Sequence, residues 1–299
     1  MKKLFTSIIV LIIATSSVYA QNGTYKTGSL LWKISGKDLS KPSYLFGTLH
    51  FKSGDFLATV PGATAALESS EQVVGEMNMA NMSEMQMHLQ QAMMMPPNIT
   101  YQRLYSDEDY QFVNEQLASF FGIGLEHLGI LNPAGIQVAM LPVAYSVHLP
   151  DLASVEEALD VFIQSHATQN QKPVLELETV DSQIRVLFGA SLQRQADLLL
   201  CALKNIDQEM AMVPELINHY VQGNLNDLYR YLRSDVCPAT PAEINAMNKD
   251  RNEAWMKKLP DMMKHKSSFI AVGALHLAGA DGLLNLLEKA GYTVEAVVR

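Results

Sequence analysis

Phe269-Ile270-Ala271-Val272-Gly273-Ala274-Leu275-His276 is the stretch on which the fold turns. Its apolar residues run without alternation, as in a strand covered on both faces. A glycine closes the run, and a histidine follows three positions later. Tyr44-Leu45-Phe46-Gly47-Thr48-Leu49-His50 repeats the pattern near the other end of the chain. In an open α/β sheet, ligands bind at the carboxyl ends of the strands. A glycine there lets the backbone turn tightly or approach a ligand, and a histidine just past it is placed to enter the crevice. Gly-x-x-His alone is a weak signal: with 17 Gly and 8 His in 299 residues, about half a match is expected by chance. A third match, Gly124-Leu125-Glu126-His127, follows no strand and is set apart from the other two.

Outward from these two segments, four more short runs read as strands: Leu30–Ile34, Gln72–Met77, Pro173–Leu177 and Tyr292–Val298. Leu30–Ile34 and Ser43–Thr48 form a hairpin across a polar turn. Helix start signals fill the space between. Ser106 with Asp109 opens a helix that ends near Gly122. Ser154-Val155-Glu156-Glu157 and Thr240-Pro241-Ala242-Glu243 are capping boxes, the second with proline at the first helical position. A helix from Leu283 stops at Gly291, a favoured residue just past a helix end. The expected fold is α/β: a mixed β-sheet core formed by N- and C-terminal strands, with a large, mostly helical middle region, in a single domain over residues 21–299.

The first twenty residues read as a signal peptide. Lys2 and Lys3 precede an apolar run from Leu4 to Ala14, and Val18 and Ala20 stand where a signal peptidase reads small residues. No later stretch of about 18 apolar residues follows, so no transmembrane segment is expected after cleavage. The expected location is periplasmic or secreted. The chain carries a net charge of −9, and about −11 without the two leader lysines, which excludes binding to a nucleic-acid backbone as its main task. Cys201 and Cys237 are the only cysteines, and an oxidising compartment would pair them. Eight of the sixteen methionines fall between Met77 and Met95. Met82, Met85, Leu89 and Met93 share one helical face, which reads first as an amphipathic helix packed on the body. A substrate-facing lid and a Cu(I) site are the second and third readings.

Two imidazoles on neighbouring strands would bind one metal ion through nitrogen. Taken singly, either histidine reads as a hydrogen-bonded structural residue; as a matched pair, His50 and His276 read as a site. Glu76 ends the third strand, and Glu176 and Glu178 end the fourth, on one face if the strand runs that far. They supply the carboxylates of a His/His/carboxylate set. Arg251 and Asn252 would add a clamp for an oxyanion or a carboxylate. Rival chemistries lack their signatures: there is no His-Glu-x-x-His, Gly-x-Ser-x-Gly, P-loop or Gly-x-Gly-x-x-Gly.

Leu31-Trp32-Lys33-Ile34, Tyr44 to His50, Leu175-Glu176-Leu177-Glu178-Thr179 with Gln183, Arg251-Asn252, Val272 to Gly279 and Gly291-Tyr292-Thr293-Val294 together resemble the TraB/GumN family. That family is related to the Tiki metalloproteases and grouped with erythromycin-esterase-like and ChaN-like folds. The resemblance implies a metal-dependent hydrolase using two Gly-x-x-His motifs and a glutamate. His50, His276 and Glu76 would hold a divalent ion of unspecified identity (zinc, manganese or cobalt). Glu178 would be the base or a supporting group, with Arg251 and Asn252 as further family positions. Asp160 aligns with a family aspartate, although Ala158-Leu159 replaces the usual Gly-apolar pair before it. Asn78 stands where the family has aspartate, and Leu275 where it commonly has glycine. The expected function is an exported metal-dependent hydrolase acting as a peptidase, on a peptide or other small substrate. The alternative is a periplasmic protein that binds a metal, haem or peptide without turnover.

Overall fold

The structure, a computed structural model, describes residues 26–153, 157–231 and 236–298. The leader and the Ser154 capping box fall outside them. The described residues divide into two compact units.

The first unit holds a six-stranded sheet: β1 (Leu31–Ser35), β2 (Ser43–Thr48), β3 (Gln72–Gly75), β4 (Val174–Glu176), β5 (Ser268–Gly273) and β6 (Thr293–Ala296). All six segments read from the sequence are strands. Their spatial order is β4-β3-β5-β2-β1-β6. β4, β3, β5 and β2 are mutually parallel, while β1 runs antiparallel to both β2 and β6. Four parallel strands therefore send their carboxyl ends to one edge. β5 sits between β3 and β2, and its first five residues are buried, as an apolar run without alternation requires. Phe46 of β2 and Phe269 of β5 are both fully buried, with ring centroids 5.7 Å apart. Val73, Val74, Ile270 and Val272 extend the same core without exposure to solvent.

The helix Leu159–Gln169 packs on β3 and does more than cover it. Its first residue donates a backbone hydrogen bond to Lys52 O at 2.8 Å, and Ala158 bridges Ser53. Further along, the Gln164 amide donates to Met77 O at 2.9 Å and accepts from Met79 N at 2.8 Å. One helix thus holds the segments that leave β2 and β3. A side chain at Gly75 would stand 2.4 Å from Gln164 Nε2, so only glycine permits this contact.

The second unit, residues 81–153 and 180–212, is helical among its described residues. The helix Asp107–Phe121 begins at Ser106, whose hydroxyl accepts from Asp109 N, and ends at Gly122 with a φ of 76°. Tyr101, Val113, Leu117, Leu125, Ile136, Leu199 and Leu203 form its core. In the Met-rich helix Met82–Ala92, Leu89 is buried and Met87 is exposed, the pattern of an amphipathic element. Among the described residues, no helix is long and apolar enough to cross a membrane. Neither Cys201 nor Cys237 is a free thiol; both are disulfide-bonded.

Glu209, in the helix Leu192–Val221, is only 2% exposed, and its Oε2 has no hydrogen-bond partner. Burial pushes its carboxyl up to about 7. Below pH 4.5 the group is protonated in folded and unfolded chains alike. As pH rises the unfolded chain ionises first, so stability falls and then levels off above about pH 7, a loss on the order of 3 kcal/mol. Glu209→Gln removes this titration. In urea unfolding the variant is expected to exceed the wild type at pH 8 and to match it near pH 4.5; an equal gain at both would show that ionisation is not the cause.

Candidate active site

The carboxyl ends of β2, β3, β4 and β5 each deliver one functional side chain. His50 follows β2, Glu76 follows β3, Glu178 follows β4, and His276 follows β5. The backbone fixes this convergence: Leu177 N donates to Gly75 O at 3.0 Å and Glu178 N to Glu76 O at 2.9 Å, which sets the two glutamates side by side. β4 stops at Glu176, so alternation does not carry through to Glu178. Glu176 turns to the backbone N–H of Asn78, at 3.3 Å, and only Glu178 joins the cluster.

Arg251, on the helix Lys249–Met256, stands at the centre. Its Nε donates to Glu178 Oε2 at 3.1 Å, and its Nη2 donates to Glu178 Oε1 and to Glu76 Oε2, the latter at 2.5 Å. Nη1 donates to Met247 O at 3.2 Å and to His276 Nε2 at 2.9 Å. A guanidinium has five N–H donors, and all five are engaged. Trp255, one turn further on, is fully buried. Its ring lies 4.8 Å from the guanidinium carbon and 4.4 Å from the His276 ring.

The tautomer of His276 follows from its neighbours. Asn252 Nδ2 donates to Asp281 O at 2.8 Å and to His276 O at 3.1 Å, so Asn252 Oδ1 is the acceptor for His276 Nδ1, 2.7 Å away. Nδ1 therefore carries the proton, and Nε2 presents its lone pair to Arg251. Burial, then the Arg251 charge, lowers His276 to about 3, so the ring is neutral at physiological pH. Asn248 helps hold the same turn by donating to Leu275 O at 2.8 Å.

His50 is oriented differently. Its Nδ1 lies 2.7 Å from Asp160 Oδ2, while Thr48 donates its hydroxyl to the other oxygen of Asp160. Burial disfavours the imidazolium, but the Asp160 charge and hydrogen bond outweigh it, so His50 is raised above its ordinary value. Glu76 is pulled the other way. Burial favours its neutral form, yet Arg251, His276, the Gly273 N–H at 2.8 Å and His50 together lower it to about 2. A Cβ at Gly273 would stand 3.3 Å from Glu76 Oε1, a tight contact that glycine avoids. The glycine of the other motif is set by packing: a Cβ at Gly47 would meet Ala274 at 3.1 Å.

The structure thus brings Glu76, Glu178, Arg251, Asn252 and His276 into one hydrogen-bonded network, with His50 acting electrostatically on Glu76. Asp160, which enters the sequence reading only through the resemblance, orients His50. Trp255, Asn248 and Thr48 had no assigned part. The i, i+4 spacing of Arg251 and Trp255 was the available signal for one of them. His127 of the third Gly-x-x-His lies in the short helix Leu125–Leu128 and pairs with its neighbour Glu126.

Imidazole and carboxylate donors are of the kind a divalent ion takes, but here they are turned to Arg251. His276 Nε2, Glu76 Oε2 and both oxygens of Glu178 accept from Arg251, and Glu76 Oε1 accepts from Gly273. Among the described residues, no three His, Cys, Asp or Glu side chains stand where they could hold a metal ion. As arranged, these residues do not fit a metal.

Fold and site together define an α/β protein whose parallel strands converge on two histidines, two glutamates and a buried arginine. The sequence profile of the TraB/PrgY/gumN family matches residues 30–296, and the chain belongs to that family. It is similar to Metalloprotease TIKI1 of Xenopus tropicalis, with 25% identity over 313 aligned positions that cover 89% of this chain and 61% of the relative. The chain therefore spans about three fifths of that relative's length. No solved structure matches it.

Two measurements test this network. In nitrogen NMR, His276 is expected to keep its proton on Nδ1 from pH 8 to pH 5 without titrating. Asn252→Ala leaves buried partners of its amide unpaired, and a loss of about 2–4 kcal/mol in urea unfolding is expected. A near-neutral Asn252→Ala would mean that the turn is held by other contacts.

Proposed function

We propose that this protein is an exported hydrolase that cleaves amide bonds in peptides, with the strand-end cluster as its active site. The leader-like first twenty residues support export, and the similarity to a metalloprotease supports the reaction class. The observation that carries the reading is the His50–Asp160 pair, Nδ1 to Oδ2 at 2.7 Å, beside the Glu76–Arg251–Glu178 cluster.

The assignment of roles follows from availability. Glu178 has both oxygens on Arg251, and Glu76 is too weak a base once lowered to about 2. His276 is neutral, but its lone pair is engaged. His50 has Nδ1 held by Asp160, which leaves Nε2 to accept a proton, and its side chain is 21% exposed against 8% for His276. His50 takes the proton of a water whose oxygen bonds to the substrate carbonyl carbon. When the carbon–nitrogen bond breaks, the same imidazolium returns that proton to the departing amine. Asp160 holds the ring and stabilises its charged form throughout. Glu76, Glu178 and Arg251 fix the electrostatics and leave the guanidinium no spare N–H for an oxyanion.

A mixture-based peptide library read by mass spectrometry tests the proposal. Cleavage by the wild type and a loss of about 10²–10⁴ in rate for His50→Ala are expected. A wild type that binds peptides without cutting them would make this a binding protein, and unchanged turnover by His50→Ala would remove His50 from the chemistry. Because Asp160 raises His50, kcat/KM should rise with pH through a value above 6.5. In Asp160→Asn that limb should move to lower pH as overall rate falls; a limb that stays in place would separate the pH dependence from this pair.

A further inference from the structure

Arg251, a candidate anion clamp by sequence, has no N–H to give, since all five are engaged within the protein. Lys52 stands beside the His50–Asp160 pair with its charge uncommitted. Its backbone N–H donates to Leu49 O at 2.9 Å and closes the turn that carries His50. Its carbonyl accepts from Leu159 N at 2.8 Å, at the start of the helix whose second residue is Asp160. The backbone of Lys52 is therefore tied on both sides to the segments that bear the pair. Its side chain is laid over a ring: the ammonium lies 5.3 Å from the centre of Phe56. Phe56 packs in turn on Tyr220, with ring centres 5.3 Å apart, and the fully buried Tyr220 donates to Gly47 O at 2.9 Å. The head of Lys52 is thus placed by a ring fixed to the end of β2.

Lys26, Lys41 and Lys204 each reach a carboxylate, whereas Lys52, half-buried, reaches none among the described residues. The acidic side chains of the cluster face other partners: Asp160 faces His50 and Thr48, and Glu76 and Glu178 face Arg251. A half-buried ammonium without a counter-charge is electrostatically incomplete, and a carboxylate brought by a ligand would complete it through charge-assisted hydrogen bonds. We infer that Lys52 is a specificity-determining residue, and that the substrate is a peptide bearing a carboxylate within about two residues of the bond placed at His50. The span follows from the chain: His50 and Lys52 are two positions apart, so their Cα atoms lie within about 7 Å, the length of two extended peptide residues. The identity of the bond rests on the hydrolase reading; the carboxylate rests on the surroundings of Lys52. That carboxylate has two sources, the C-terminus of the peptide or an Asp or Glu side chain, and Lys52 would bind either through the same hydrogen bonds.

Alanine pentapeptides carrying one Glu or one Gln at each position in turn, made as C-terminal acids and as amides, test this on the full-length mature protein. A carboxylate-bearing member is expected to show a KM about tenfold below that of its neutral counterpart. Preference for acid over amide assigns the C-terminus; preference for Glu over Gln among the amides assigns the side chain. In Lys52→Met the ratio of the two kcat/KM values should fall toward one, mainly through KM, while Lys52→Arg should keep it. Lys52→Glu should reverse it in favour of an amide carrying Lys at the same position. A purely structural role would lower both peptides together and leave the ratio as in the wild type; that result would overturn the inference, as would equal use of charged and neutral peptides by the wild type. If Lys52→Met does not fold, the reversal or its absence in Lys52→Glu decides. If the wild type cuts no peptide, the hydrolase reading fails by itself, and the same ratio measured as affinity by calorimetry decides the carboxylate. Tighter binding of the charged member by the wild type and not by Lys52→Met would sustain it; equal affinities, or none, would overturn it.

Discussion

A buried positive charge must be matched locally, and Arg251 imposes that demand on everything around it. Removing a guanidinium from water is costly unless its charge and all its donors find partners. Arg251 finds two carboxylates, an imidazole nitrogen and a backbone carbonyl, and a Trp255 ring packs against it. Burial works against its proton, but Glu76 and Glu178 outweigh burial and raise it, so the charge is permanent. Taking away one partner of such a buried pair typically costs about 3–5 kcal/mol, because the remaining charge is left without compensation. The strand ends are thus coupled through one side chain.

Parallel strand topology makes that coupling possible. Side chains 226 positions apart in the chain, as His50 and His276 are, emerge from strands that are hydrogen-bonded neighbours. Parallel pairing also aligns β3 with β4, so the backbone itself brings Glu178 N to Glu76 O. The helix Leu159–Gln169 then ties down the exits of β2 and β3 through Lys52, Met77 and Met79. Asp160 reaches His50 because the start of this helix is pinned to the segment that follows His50.

The two histidines show how environment divides one residue type into two roles. Each has Nδ1 2.7 Å from a side-chain oxygen, in an ion pair with Asp160 for His50 and in a hydrogen bond to Asn252 for His276. For His50 that oxygen belongs to a carboxylate, and the imidazolium is favoured. For His276 it belongs to a neutral amide, while Arg251 sits on the other nitrogen, and the imidazolium is excluded. The opposite shifts let His50 hold a proton that His276 does not.

Much of this was legible in the residues themselves. Unalternating apolar runs ending in glycine gave the parallel strands, because a strand covered on both faces has no polar side to display. The repeated Gly-x-x-His pattern and the strand-end glutamates named His50, His276, Glu76 and Glu178, because chain direction alone puts such residues at one sheet edge. Local caps such as Ser106 and Thr240 were equally readable, since their hydrogen bonds span three residues. Partnership was not readable. That Arg251 would spend every N–H on those glutamates and His276 depends on where the helix Lys249–Met256 packs, not on its own pattern of residues. That Glu176 and Glu178 would part company depends on where β4 ends, and that Asp160 would orient His50 depends on contacts across 110 positions. A sequence determines which groups arrive at the sheet edge; only tertiary packing decides which lone pair meets which proton, because hydrogen bonds are set by distances of tenths of an ångström between segments that are far apart in the chain.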